Sequence, residues 1–114
     1  MADRCMWTGA SGTKYTFYVY PRHPRITSGQ MGNYIYAKVD QTSTWQPIYI
    51  AQGDISVRCT KSPQIECINS KGATHVHLKI TRGDENIRKH QERDLLATHS
   101  EAYAPTGCNQ REGG

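Results

Sequence analysis

The chain contains no C-x-x-C pair. Its four cysteines, Cys5, Cys59, Cys67 and Cys108, stand apart, so a zinc site built from paired ligands is poorly supported. No run approaches the roughly twenty apolar residues that a membrane-crossing helix needs. The opening stretch, MADRCMWTGASG, has no apolar segment of the kind that marks a secretory signal. These absences set the expectation of a cytoplasmic protein without a membrane partner. Its thiols are expected to be reduced, although four cysteines could also form two disulfides. There is no internal repeat, and no linker is long enough to divide domains. A chain of 114 residues suits one domain with a modest core, and it leaves little room for a large internal substrate pocket. Acidic residues are in slight deficit, ten against fourteen Lys and Arg, for a formal charge of +4. That balance fits an ordinary basic domain and a polyanion-binding one about equally.

What is present reads as alternating short strands and helices. Residues 1–13 read as a loose lead-in broken by Gly9, Ser11 and Gly12. Tyr15 to Tyr20, YTFYVY, is the strongest strand signal, and Pro21 and Pro24 stop it. A basic loop with Arg22, His23 and Arg25 follows, and it could touch a phosphate backbone. Tyr34 to Val39 and Pro47 to Ala51 are β-branched and aromatic runs joined by a polar turn, a hairpin pattern. Asp54 is an N-cap candidate for a short helix from Ile55 to about Lys61, with Arg58 one turn in. Residues 62–72 read as a loop.

Thr74 to Thr81 alternates as a further strand, with His75, His77 and Lys79 on one face and Val76, Leu78 and Ile80 on the other. Solvent is the expected surrounding of the two histidines. The longest helix is expected over Glu85 to His99 with Asp84 as cap, and on it Arg88, Glu92 and Leu95 or Leu96 fall in one register. Pro105 and Gly107 are expected to end the ordered chain ahead of Asn109, and REGG to fray.

Two phenols and a guanidinium near one sheet edge suggest a place for a phosphate oxygen. The stretch resembles the GIY-YIG nuclease family. Gly32-Asn33-Tyr34 stands for its first motif and Tyr49-Ile50-Ala51 for its second. Arg58 stands for its arginine, Glu92 for its metal-binding glutamate and Asn109 for its terminal asparagine. Tyr36, within Tyr34-Ile35-Tyr36, competes with Tyr34 for the first motif; Tyr34 keeps the glycine two residues before it. The resemblance implies a small α/β (α+β) sandwich at residues 32–110: a three-stranded antiparallel or mixed sheet flanked by helices. Residues 1–31 would be an N-terminal extension with one added edge strand, and 111–114 a tail.

It also implies an endonuclease that hydrolyses DNA phosphodiesters with one divalent cation, Mg²⁺ or Mn²⁺, held by Glu92. Arg58 would stabilise charge on the scissile phosphate. Tyr34 and Tyr49 would orient or deprotonate the attacking water, and Asn109 would orient the site by hydrogen bonds. Arg22, Arg25, Arg58 and Lys61 are the expected DNA contacts. Specificity would need a protein partner, a homodimer or a DNA structure rather than a base sequence, or would be low, since the core uses nearly the whole chain.

The sequence departs from the family at two points. Ala51 replaces the glycine that ends the second motif, and its methyl narrows the site. Ser62 stands where the family often has a histidine, with Lys61 beside it as the substitute proton acceptor, which requires a strongly lowered pKa. The alternative is therefore a catalytically weak nucleic-acid-binding module on the same scaffold. A small interaction domain with a structural His/Cys zinc site is a third reading.

Overall fold

The computed structural model describes residues 3–22, 24, 29–56 and 64–110. They form an α+β domain around one five-stranded sheet. The strands are β1 (Asp3–Thr8), β2 (Lys14–Pro21), β3 (Met31–Val39), β4 (Trp45–Asp54) and β5 (His75–Ile80), in sheet order β1-β2-β5-β3-β4. Every pairing between neighbours is antiparallel. Helix α1 (Ile65–Ser70) connects β4 towards β5, and α2 (Glu85–Thr98) follows β5. A one-turn 3₁₀ segment, Ser100–Ala102, leads into the last stretch.

The expected β3–β4 hairpin is present, with Tyr36 directly across from Tyr49 and a register shift just after Tyr36. Its turn is held by Asp40, whose Oδ1 accepts from the Thr42 and Thr44 amides at 2.8 and 3.0 Å. Ser43 in that turn takes φ 63°, a left-handed value that a non-glycine residue rarely adopts. Gly32 is needed for a different reason: a Cβ there would strike the carbonyl oxygen of Lys79 on β5. Asp84 caps α2 as expected, its Oδ1 accepting from Ile87 N at 3.1 Å. Asp54 accepts in the same way from Ser56 N at 3.0 Å, while the expected helix beyond Ser56 lies outside the described residues.

Several expectations are corrected. The sheet has five strands, not three with one addition, and the N-terminal segment supplies two of them. Residues 3–8 are strand rather than lead-in, because DRCMWT pairs residue for residue with β2. Only Trp7 of β1 is buried, so the segment lacks the apolar signal that marks a strand by itself. Its presence moves β2 off the sheet edge. Residues 65–70, expected as loop, form α1, a helix too short for a periodic pattern and anchored by buried Ile68. Reduced thiols throughout are also ruled out, since Cys67 of α1 is bonded to Cys108. Cys5 carries a free thiol, and Cys59 lies outside the described residues.

Each face of the sheet carries a packed cluster. On one face Tyr34, Tyr36, Tyr49, Val76 and Leu78 pack with Ile55, Ile68 and Cys108. On the other, Trp7, Tyr15, Phe17, Ile35 and Ile50 pack with Leu95 and Leu96 of α2. This explains the histidines of β5. The alternation read from the sequence holds, but over the middle of β5 both faces are packed, so Val76, His77 and Leu78 are all buried. His77 is buried rather than solvent-facing, and His75 is half-buried. No helix among the described residues is long and apolar enough to cross a membrane.

The C-terminal stretch stays ordered past Pro105 and Gly107. Cys108 N donates to Ile48 O at 2.8 Å. The Asn109 side chain bonds Ile50 twice, Oδ1 accepting from its amide and Nδ2 donating to its carbonyl, both at 2.8 Å. The residues from Ala102 to Asn109 thus cover the outer edge of β4. The tail at 111–114 lies outside the described residues.

Candidate functional site

Strands β3 and β4 present three tyrosines to the same face. The Tyr34 and Tyr49 rings stand 6.2 Å apart, and Tyr34 meets Tyr36 edge-on at 6.0 Å. The cross-strand register distinguishes the positions of the two candidates for the first motif. Tyr36 is paired with Tyr49, whereas Tyr34 is paired with Ala51. Strand periodicity puts Tyr34 and Tyr36 on the same face whichever residue is opposite.

Arg22 joins this cluster from the end of β2. Its guanidinium carbon lies 5.1 Å from the centre of the Tyr36 ring. One terminal nitrogen donates to Asn69 Oδ1 at 2.8 Å and the other to Ala73 O at 3.2 Å. Arg22 is therefore a pinned, half-buried cation beside the tyrosines, a placement for which the sequence offered only its basic character.

Glu92 lies on α2 in the buried stripe with Arg88, Leu95 and Leu96, as the helical register implied. It is 2% exposed, not a solvated helix residue. A carboxylate so far from water is costly unless charged or donating groups surround it. Its helix packs on the α2 face of the sheet, opposite the tyrosine rings. Arg88, one turn earlier, donates through Nε to Gln52 Oε1 at 3.2 Å and through a terminal nitrogen to Gly83 O at 3.2 Å. Asn33 of β3 reaches the same helix, donating to Arg88 O at 3.0 Å.

Asn109 is fully buried and bonded to the Ile50 backbone. It orients a strand, not a ligand, and in this respect the expected site role is replaced by a structural one. Arg25, Arg58 and Lys61 lie outside the described residues. Among the described residues no three His, Cys, Asp or Glu side chains converge as a metal site. A single glutamate can still suit Mg²⁺ or Mn²⁺, which often take only one or two carboxylates and complete their shell with water and phosphate oxygens.

Sequence reasoning missed a second cluster, on the α2 face. Trp7 Nε1 donates to His77 Nδ1 at 2.9 Å. The acceptor role of Nδ1 places the imidazole proton on Nε2, which has no hydrogen-bond partner. The Trp45 ring stands perpendicular to His77 with centroids 4.5 Å apart, a geometry suited to an N–H···π contact. Burial, with the neighbouring His75 second, pulls the His77 pKa down to about 4. Tryptophans in the first and fourth strands carry no sequence signal that they will meet over a histidine of the fifth.

No family model, curated protein or solved structure matches this chain.

Proposed function

We propose that this protein is a metal-dependent nuclease acting on DNA phosphodiesters, with its reacting end at the tyrosines of β3 and β4. The observation that carries the reading is the pairing of Tyr36 across from Tyr49, with the Arg22 guanidinium over the Tyr36 ring. The element order supports it: a tyrosine-bearing hairpin, then a helix, a third strand packed beside the hairpin's inner strand, and a helix with a buried carboxylate.

In this reading a phenol at Tyr49 or Tyr36 orients the attacking water. Such a role is helped by nearby positive charge, which lowers the phenol's cost of giving up a proton. Arg58 forks onto the phosphate oxygens and offsets the charge that develops there. Glu92, the oxygen ligand that the resemblance implies, lies on the α2 face, so on the tyrosine side a divalent cation would be held by phosphate oxygens and water and would supply charge neutralisation at phosphorus.

A second reading, a DNA-binding module with little or no hydrolysis, is favoured by one observation. Tyr34 and Tyr49 are 1% and 3% exposed, which leaves little phenol surface for water or substrate. Plasmid nicking across divalent metals separates the two. The nuclease reading expects nicking with Mg²⁺ or Mn²⁺, its loss with chelator, and a drop of about 10²-fold or more in Tyr49→Phe and Arg58→Ala. Salt-sensitive DNA binding without metal-dependent nicking leaves the second reading. Neither binding nor nicking removes both.

A further inference from the structure

A pocket of about 500 Å³ opens at the end of the sheet nearest the C-terminus of α2. Its walls include Trp7 and Met6 of β1, Thr44 and Trp45 of the β3–β4 hairpin, and His99 and Glu101 beyond α2. Both indoles are fixed before any ligand arrives. Trp7 is tied to His77 by its ring nitrogen and meets His99 edge-on at 5.2 Å, while Trp45 is braced against both His75 and His77. Rigid aromatic walls lose little entropy on binding. Met6, 62% exposed, adds a polarizable thioether at the rim.

The charge of the lining narrows the ligand class. Glu101 is the one acidic residue, its carboxylate half-exposed and 3.5 Å from His99 Nδ1, and the described lining holds no Lys or Arg. An anionic ligand such as a nucleotide phosphate finds no counter-charge here. A hard inorganic cation finds one carboxylate and mostly apolar walls in place of its oxygen shell. The partly exposed indole of Trp45, with buried Trp7 beside it and a single carboxylate, favours a weakly hydrated organic cation. The chain's net charge of +4 would not draw a cation from a distance, so recognition must arise locally.

We propose that this pocket binds an organic cation, a quaternary or methylated ammonium group held against Trp7 and Trp45 with Glu101 as its counter-charge. The proposal does not depend on the nuclease reading and concerns the opposite face of the sheet.

Trp7 and Trp45 are the only tryptophans in the chain, so selectively excited tryptophan fluorescence reports on this pocket. The full-length protein is titrated with choline and tetramethylammonium, and with 3,3-dimethylbutan-1-ol as the uncharged isostere of choline. The expected result is a saturable change with both cations and binding of the neutral alcohol about tenfold weaker. Glu101→Gln, a half-exposed position, should weaken choline by roughly fivefold to tenfold while leaving the far-UV spectrum unchanged. Trp45→Leu, followed by calorimetry, should abolish binding; if that variant does not fold, the Glu101→Gln arm decides. Equal affinity for the alcohol, tighter binding of a nucleoside monophosphate than of choline, an unaltered Glu101→Gln, or no saturable response would each overturn the proposal.

Discussion

Asn109 commits its side chain to the backbone of the neighbouring strand, with the Ile50 amide and carbonyl both bonded at 2.8 Å. Asn109→Ala removes both bonds and leaves two buried backbone groups without partners. A loss of about 2–3 kcal/mol is expected, seen as a lower urea midpoint at unchanged slope. Gly32→Ala should cost a similar amount, roughly 1–3 kcal/mol, because the methyl would collide with the β5 backbone rather than with a side chain that can move.

His77 makes a pH prediction. Its pKa is near 6.5 in the unfolded chain and about 4 in the fold, so between these values the unfolded state binds the extra proton. Stability is then full above pH 6.5 and falls as pH drops towards 4, by on the order of 3 kcal/mol. Denaturant titrations across that window should show the decline in the parent and a flattened profile in His77→Gln.

At the level of elements, the bond from Cys67 to Cys108 fixes α1 to the stretch that covers β4, across a sequence separation of 41. Lys71, at the end of α1, strengthens the same attachment through Nζ to Pro105 O at 2.6 Å. Chain entropy gives a loop of this length roughly 4 kcal/mol of stabilisation. The Cys67→Ser, Cys108→Ser double variant, or reduction of the parent, should lower unfolding free energy by about that much.

The hairpin, β2, β5 and α2 were legible in the sequence because their apolar periods and caps are local. Strand β1 was not, since its single buried residue, Trp7, gives no alternation, and it forms only because β2 offers an edge. Helix α1 and the disulfide depend on contacts far along the chain. The same limit applied to the site. Glu92 fell in the buried stripe that its helical period predicts, whereas which tyrosine stands across from Tyr49 required the register with β4.

Over the whole molecule, the central sheet carries two distinct chemistries on its two faces. Tyrosines and the pinned Arg22 occupy one, and the tryptophan–histidine cluster and its pocket the other. A change confined to one should leave the other's readout intact. Trp45→Phe is therefore expected to alter fluorescence with no more than about a twofold effect on any DNA affinity, since the altered ring is remote from the tyrosine face. Electrophoretic mobility shifts of parent and variant at one salt concentration provide the check.

Residues 102–109 have a consequence for handling the protein as well as for its stability. They act as a shutter over a strand whose backbone would otherwise be open to pairing with another chain. Cutting the polypeptide back to Ala104 removes Cys108 and Asn109 together and bares that strand. The shortened protein is expected to self-associate, and light scattering against the full-length chain at matched concentration would reveal it.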